Sequence, residues 1–128
     1  MISKYRAWDS VKKEMFKDTF AITESGQVVV VEQESVASSP DYVFVDYLVL
    51  MQSTGLVDKN GKEIFEGDVL DYKGRKALVR WHGSYASFIY RFVDELQNRN
   101  TEWKPLYLAY MKCEIIGNIY ENKELLDA

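Results

Sequence analysis

Glu66-Gly67-Asp68-Val69-Leu70-Asp71-Tyr72-Lys73-Gly74-Arg75-Lys76-Ala77-Leu78-Val79-Arg80-Trp81 is the stretch that decides the fold. Gly67-Asp68 opens a strand over Val69–Tyr72, Lys73-Gly74-Arg75-Lys76 makes a tight turn, and Ala77–Trp81 returns as the second strand. Glycine supplies the positive φ that such a turn demands. Alternation puts Ala77, Val79 and Trp81 on one face of the return strand, opposite Leu78 and Arg80, so the Trp face is expected in the core.

Outward from this hairpin the same grammar repeats. Downstream, His82-Gly83-Ser84 turns into a strand over Ala86–Val93. Asp94–Asn100 is a short helix or a polar loop. Leu106–Met111 and Cys113–Tyr120 are predicted strands with a break near Lys112, and Glu121–Ala128 is one closing helical turn. Upstream, Asp58-Lys59-Asn60-Gly61-Lys62 carries Asn-Gly, the strongest short-range turn signal. Tyr42–Met51 is the most apolar stretch, with Val43, Val45, Tyr47 and Val49 on one strand face. Ala37-Ser38-Ser39-Pro40-Asp41 is a loop. Gln27–Gln33 follows the turn Ser25-Gly26, and its four consecutive valines favour a strand, since Cβ branching suits the pleat. Val11, Met15, Phe16 and Phe20 fit either a helix capped by Asp9 or Ser10, or a turn through Asp9–Glu14 with a strand over Met15–Ile22. Many short strands at close spacing predict an all-β chain, a small mixed barrel or sandwich with at most one or two short helices. The Gly-Asp entry and apolar-x-Trp return give it an SH3-like barrel part, over about 62–93 plus 113–120, within one domain spanning 1–128.

With 128 residues, one core is expected. Twenty acidic and 16 basic residues give a net charge of −4, which excludes a histone-like polycation. One Cys and one His cannot make an internal disulfide or a Cys/His zinc site. A reducing, intracellular setting fits, and no cofactor is expected. The longest uncharged run is too short to span a bilayer as a helix, and no basic-then-apolar signal segment opens the chain, so no membrane partner is expected.

Charge is unevenly spread. Residues 24–71 hold ten acids and two bases, whereas 72–93 hold five bases and no acid, together with six aromatics. In that block Lys73, Arg75, Lys76 and Arg80 could meet phosphates while Tyr85 or Tyr90 stacks on unpaired bases. The competing reading is a solvated hairpin over a core of Trp81, Phe88 and Phe92. Elsewhere the chemistry is sparse. His82 has no second His as partner. Cys113 sits in an apolar strand as an inert thiol. Glu63, Glu66 and Asp68 gather near the hairpin, where Asp68 is better placed to accept backbone hydrogen bonds than to act as an acid or base.

Three blocks resemble one family. Arg6-Ala7-Trp8-Asp9, then Leu50–Leu56 running on through Asp58–Asp68, and finally Ile115-Ile116-Gly117-Asn118-Ile119-Tyr120-Glu121-Asn122 are similar to the YopX-like proteins of phages and prophages. Residues 23–45 and 94–112 depart from the usual spacing. The resemblance implies an all-β fold with a barrel-like part, a hairpin turn at Asp9–Glu14, and action in the cytoplasm of a bacterial host. It brings no catalytic residue. The expectation is a non-enzymatic accessory protein, an oligomeric protein-interaction module with a protein partner yet to be identified. The alternative is a nucleic-acid-binding module using segment 72–93.

Overall fold

The computed structural model describes residues 4–97 and 102–127. Among these it is all-β. Twelve strands are joined by turns and by 3-10 segments of three or four residues, with no α-helix. No helix is long and apolar enough to cross a membrane. The chain divides into two compact units, Met1–Arg6 with Met51–Ala128, and Ala7–Leu50. Strands β1 (Tyr5–Asp9) and β6 (Leu48–Val57) each contribute residues to both.

The larger unit is built on a curled half-barrel sheet of five antiparallel strands. Its order is β11 (Lys104–Pro105), β10 (Ser87–Phe92), β9 (Arg75–His82), β8 (Asp68–Tyr72), β12 (Cys113–Asn118). The deciding hairpin forms with a tighter turn than expected, since Arg75 and Lys76 already belong to β9. Tyr72 pairs with Arg75, and the two residues between them, Lys73 and Gly74, take φ of 51° and 89°. Positive φ at both central positions belongs to the turn whose twist matches a hairpin. One sheet face carries Leu70, Ala77, Val79, Tyr90, Phe92 and Cys113 against Ile64, Leu106 and Ala109. The other carries Val69 and Leu78 against Val93, in the 3-10 turn after β10, and against Ile119, Leu125 and Leu126. Both faces are covered, so Val69-Leu70 and Ala77-Leu78-Val79 are unbroken apolar runs with no polar alternation. Each fully buried large aliphatic contributes roughly 1.5–3 kcal/mol of transfer free energy.

Leu106–Met111 is not a strand. It forms two successive 3-10 turns, Leu106–Leu108 and Tyr110–Lys112. Only Leu106 and Ala109 are buried there, three residues apart, which is the 3-10 period and incompatible with strand alternation. The closing helical turn is 3-10 as well, at Lys123–Leu126.

In the smaller unit, β2 (Glu14–Met15) pairs back on β1, with Trp8 opposite Met15 and Asp9 opposite Glu14. This is the hairpin, and the helix alternative fails. Asp9 Oδ1 does accept the N–H groups of Val11 and Lys12, as a helix cap would. Lys13, however, takes φ 59° and turns the chain back. A three-stranded antiparallel sheet follows in the order β3 (Phe20–Ile22), β4 (Val28–Glu32), β5 (Asp41–Val45). Its inner face packs Phe20, Val28, Val30 and Val45 with Ala7, Phe16, Tyr47 and Leu48. The apolar run from Tyr42 to Met51 is therefore two strands. It breaks at Asp46-Tyr47, so Tyr47 and Val49 do not continue the face of Val43 and Val45.

Candidate functional site

The basic block 72–93 was the sequence's candidate, and the structure distributes its residues unevenly. Arg75 lies 3.6 Å over the Phe92 ring and donates to Asp94 Oδ1 at 2.8 Å and Glu95 Oε1 at 3.1 Å. These hydrogen bonds raise its pKa above the ordinary arginine value. Lys76 Nζ donates to the main-chain oxygen of Asp127 at 2.6 Å. Lys73 stays exposed at the hairpin tip, over the Tyr72 ring, and Arg80 is exposed on β9. Two of the four cations are thus engaged within the fold.

The aromatic half also changes. Tyr90 is 6% exposed, stacked on Tyr72 and edge-on to Phe92, so its ring presents no face for a base. Alternation carries it to the same covered face as Val79, its partner across the sheet. Trp81 departs in the opposite sense. It shares that face but lies beyond the end of the core, 44% exposed, with Phe88 edge-on at 4.9 Å. Tyr85 is exposed, as a binding ring should be. It forms a three-ring cluster with His82 and Trp103, all centroids 4.8–4.9 Å apart. Trp103 and the adjacent Lys104 were missed because the basic block ends where the acids Asp94 and Glu95 begin. Aromatic content beyond residue 93 was the available signal.

The carboxylates are committed to structure. Glu63 accepts from Lys4 Nζ at 2.9 Å and from the Ser53 hydroxyl, which hold its pKa below the usual range. Glu66 accepts from the Trp81 N–H at 3.3 Å. Asp68 is 1% exposed; its Oδ2 accepts the Phe65 N–H at 2.8 Å, and its Oδ1 is paired with the Arg6 guanidinium. Burial raises the Asp68 pKa against the opposing charge of Arg6. Asp58 braces the Asn-Gly turn through three backbone N–H groups, whose combined effect outweighs burial and lowers its pKa. Cys113 donates its thiol to the Ala109 carbonyl, and burial pushes its pKa up to about 11. Among the described residues no group of three or more His, Cys, Asp or Glu side chains is placed to hold a metal ion.

A different surface stands out in the smaller unit. Strand β5 is an edge of its sheet, and Tyr42 and Phe44 on it are 64% and 65% exposed. Cross-strand register puts Tyr42 beside Val31 and Phe44 beside Val29, with Ala21 on the far side of Val29, so this sheet face is apolar across all three strands; Val29 at its centre is buried, whereas Tyr42 and Phe44 at the edge are not. Natural edges are normally blunted by lysines, prolines or bulges. Here no lysine or arginine occurs between Lys17 and Lys59.

A family model described as "YopX protein" matches residues 4–127. Among solved structures, protein EF1440 from Enterococcus faecalis is similar at 28% identity and a TM-score of 0.60, covering 99% of both chains. Protein yopX from Bacillus subtilis is similar at 17% identity and a TM-score of 0.64, covering 96% of this chain and 97% of its own. The search of curated proteins gave no match.

Proposed function

The chain belongs to the YopX family, and on that premise we propose that it is a non-enzymatic, self-associating protein-interaction module, carried by a phage or prophage and acting in the bacterial cytoplasm. The observation that supports this most directly is β5, an open sheet edge carrying Tyr42 and Phe44 in solvent. Such an edge is a template for pairing with another chain. Aromatic side chains exposed at it are the kind that anchor interfaces. The carboxylates, thiol and imidazole that could carry chemistry are instead tied into turns, ion pairs and ring contacts. Sedimentation equilibrium at micromolar concentration tests the proposal. A mass above the monomer is expected, and a strict monomer throughout that range overturns self-association.

A second reading, nucleic-acid binding, draws support from the His82–Tyr85–Trp103 ring cluster, which lies in the larger unit with the exposed Arg80 and Lys104. Base–aromatic stacking contributes roughly 1–3 kcal/mol per base. With Arg75 and Lys76 engaged internally and Lys73 at the other end of β9 from His82, the exposed cations left to it are Arg80 and Lys104, the latter 5.1 Å over the Phe92 ring. Binding to a single-stranded oligonucleotide that weakens with salt, and is lost in Tyr85→Ala, is the expected result of this reading. An oligonucleotide that does not bind at low salt removes it.

A further inference from the structure

Strands β9 and β10 carry, on one shared face, two arginines that the fold leaves without a counter-charge. Cross-strand register sets Arg80 opposite Ile89 and Leu78 opposite Arg91, so all four side chains share the sheet face that also carries Val69. Arg80 and Arg91 are therefore diagonal neighbours, about 7–8 Å apart at Cα, a gap that long side chains bridge. Arg91 is the fifth base of segment 72–93 and is half-buried, whereas Arg80 is exposed. Among the described residues neither is paired with a carboxylate. Arg91 Nε is shut from solvent and has no hydrogen-bond partner. The acids of the flanking segments are engaged elsewhere. Asp94 and Glu95 bind Arg75, Asp71 accepts the Gly74 N–H, and Glu66 accepts the Trp81 N–H. Glu102 is exposed and pairs with neither arginine.

Like charges side by side on a sheet destabilise it, and a buried donor without an acceptor costs free energy as well. Local conflicts of this kind are expected where a ligand completes the site. What the two arginines lack is an anion with several acceptor oxygens. A guanidinium meets a phosphate through a fork of parallel N–H donors, and a phosphate between two arginines at this spacing takes a fork from each. Next on the same face along β9 is His82, opposite Ser87, whose ring packs with those of Tyr85 and Trp103. His82 Nδ1 is also buried without a partner. Lys104 pairs with Tyr90 and stands over the Phe92 ring, on the opposite face, so Arg91 and not Lys104 is the second cation here.

We infer that Arg80 and Arg91 together hold the phosphate of a nucleotide whose base lies on the Tyr85–Trp103 rings. A strand of nucleic acid and a free nucleotide present the same phosphate; the inference takes the strand as its source, and in that it rests on the nucleic-acid reading above.

The test follows a labelled single-stranded oligothymidylate by fluorescence anisotropy across a salt series, on the full chain, with far-UV circular dichroism as the fold control. Arg80→Gln and Arg91→Gln should each weaken binding at low salt by at least about tenfold, the loss of a charge-assisted hydrogen bond. The double variant should flatten the log–log salt slope by about 0.7, one phosphate's share on a single strand. Arg91→Lys keeps the charge but not the fork and should not restore binding. Lys73→Gln removes the same charge at the far end of the hairpin and should bind within about twofold of wild type. Thymidine monophosphate should compete with the oligonucleotide, and thymidine should not. Without ligand, Arg80→Gln should melt no lower than wild type at low salt, because it removes a repulsion; a clear fall in Tm makes the arginine structural and overturns the inference. An oligonucleotide that binds the wild type and both glutamine variants alike overturns the arginine pair and leaves the nucleic-acid reading standing. If no oligonucleotide binds at low salt, that reading falls. Thymidine monophosphate that then raises the Tm of wild type but not of Arg80→Gln upholds the pair with a free nucleotide as its source, and the absence of such a rise overturns the pair too.

Discussion

Replacing Asp58 by alanine should show how far one carboxylate holds the larger unit together. Asp58 is 4% exposed. Its Oδ1 accepts the N–H groups of Asn60 and Lys62, each at 2.9 Å, and its Oδ2 accepts that of Ile115, also at 2.9 Å. The first two close the turn that enters β7 (Glu63–Phe65); the third ties that turn to β12. A hydrogen bond to a charged group contributes about 1.5–3 kcal/mol, and the contributions do not add in full. Asn60 and Lys62 are exposed, so their freed N–H groups can turn to water, whereas Ile115 is half-buried. The net loss for Asp58→Ala should be about 2–4 kcal/mol. At about 4 °C per kcal/mol for a chain of this size, Tm should fall by about 8–16 °C. Asp58→Asn keeps an acceptor for the turn and should lose about 1 kcal/mol. The pH dependence has a definite sign. The Asp58 pKa is lower in the folded state, so its contribution is complete above the unfolded carboxylate value, near 4, and fades as pH falls through the folded value. Urea unfolding followed by tryptophan fluorescence should show the wild-type advantage at pH 7 and its closure in acid. A variant within about 0.5 kcal/mol of wild type at pH 7, the scatter of ordinary surface changes, or a gap unaltered in acid, refutes the brace.

Three further outcomes follow from other parts of the larger unit. Gly117→Ala places a Cβ 2.5 Å from Asn122 Oδ1 and 2.6 Å from Leu125 Cδ1; overpacking of this kind costs about 1–3 kcal/mol, read as a lower urea midpoint at unchanged slope. Lys73→Asn installs Asn-Gly where both central residues have positive φ and should raise stability by about 0.5 kcal/mol; a loss would contradict the turn geometry. Cys113, with its pKa near 11, holds about one thiolate per thousand at pH 8, so a thiol reagent should label it only as fast as the protein opens, and promptly in denaturant.

The hairpin at residues 68–82 was legible because its signals are local. Glycine at the turn and β-formers on both sides point to one structure, whatever packs against it later. The ends of the chain's apolar runs were less legible, because tertiary partners decide them. Leu106–Met111 has the composition of a strand, yet its backbone follows a three-residue period set by the two residues that reach the core, Leu106 and Ala109. Asp9 illustrates a shared signal: a carboxylate accepting the N–H groups two and three residues on opens a helix or closes a turn with equal ease. The positive φ at Lys13 separates the two outcomes, and lysine carries no mark of it in sequence.

The basic segment shows why local charge along a chain is a weak guide to charge on a surface. Residues 72–93 carry five bases and no acid, but the acids that meet Arg75 begin at the next position, Asp94 and Glu95. A block drawn one turn longer would already have lost two of its five excess charges. Lys76 is met by a main-chain oxygen at Asp127, fifty-one residues on, which no charge count registers. The acidic stretch is the opposite case. Between Lys17 and Lys59 no base occurs, so β3, β4 and β5 cannot neutralise their own acids among themselves, and Tyr42 and Phe44 sit exposed between Asp41 and Asp46. A contact that covers those rings must bring cations to both ends of the strand. That requirement, more than the apolar area, narrows what can bind there.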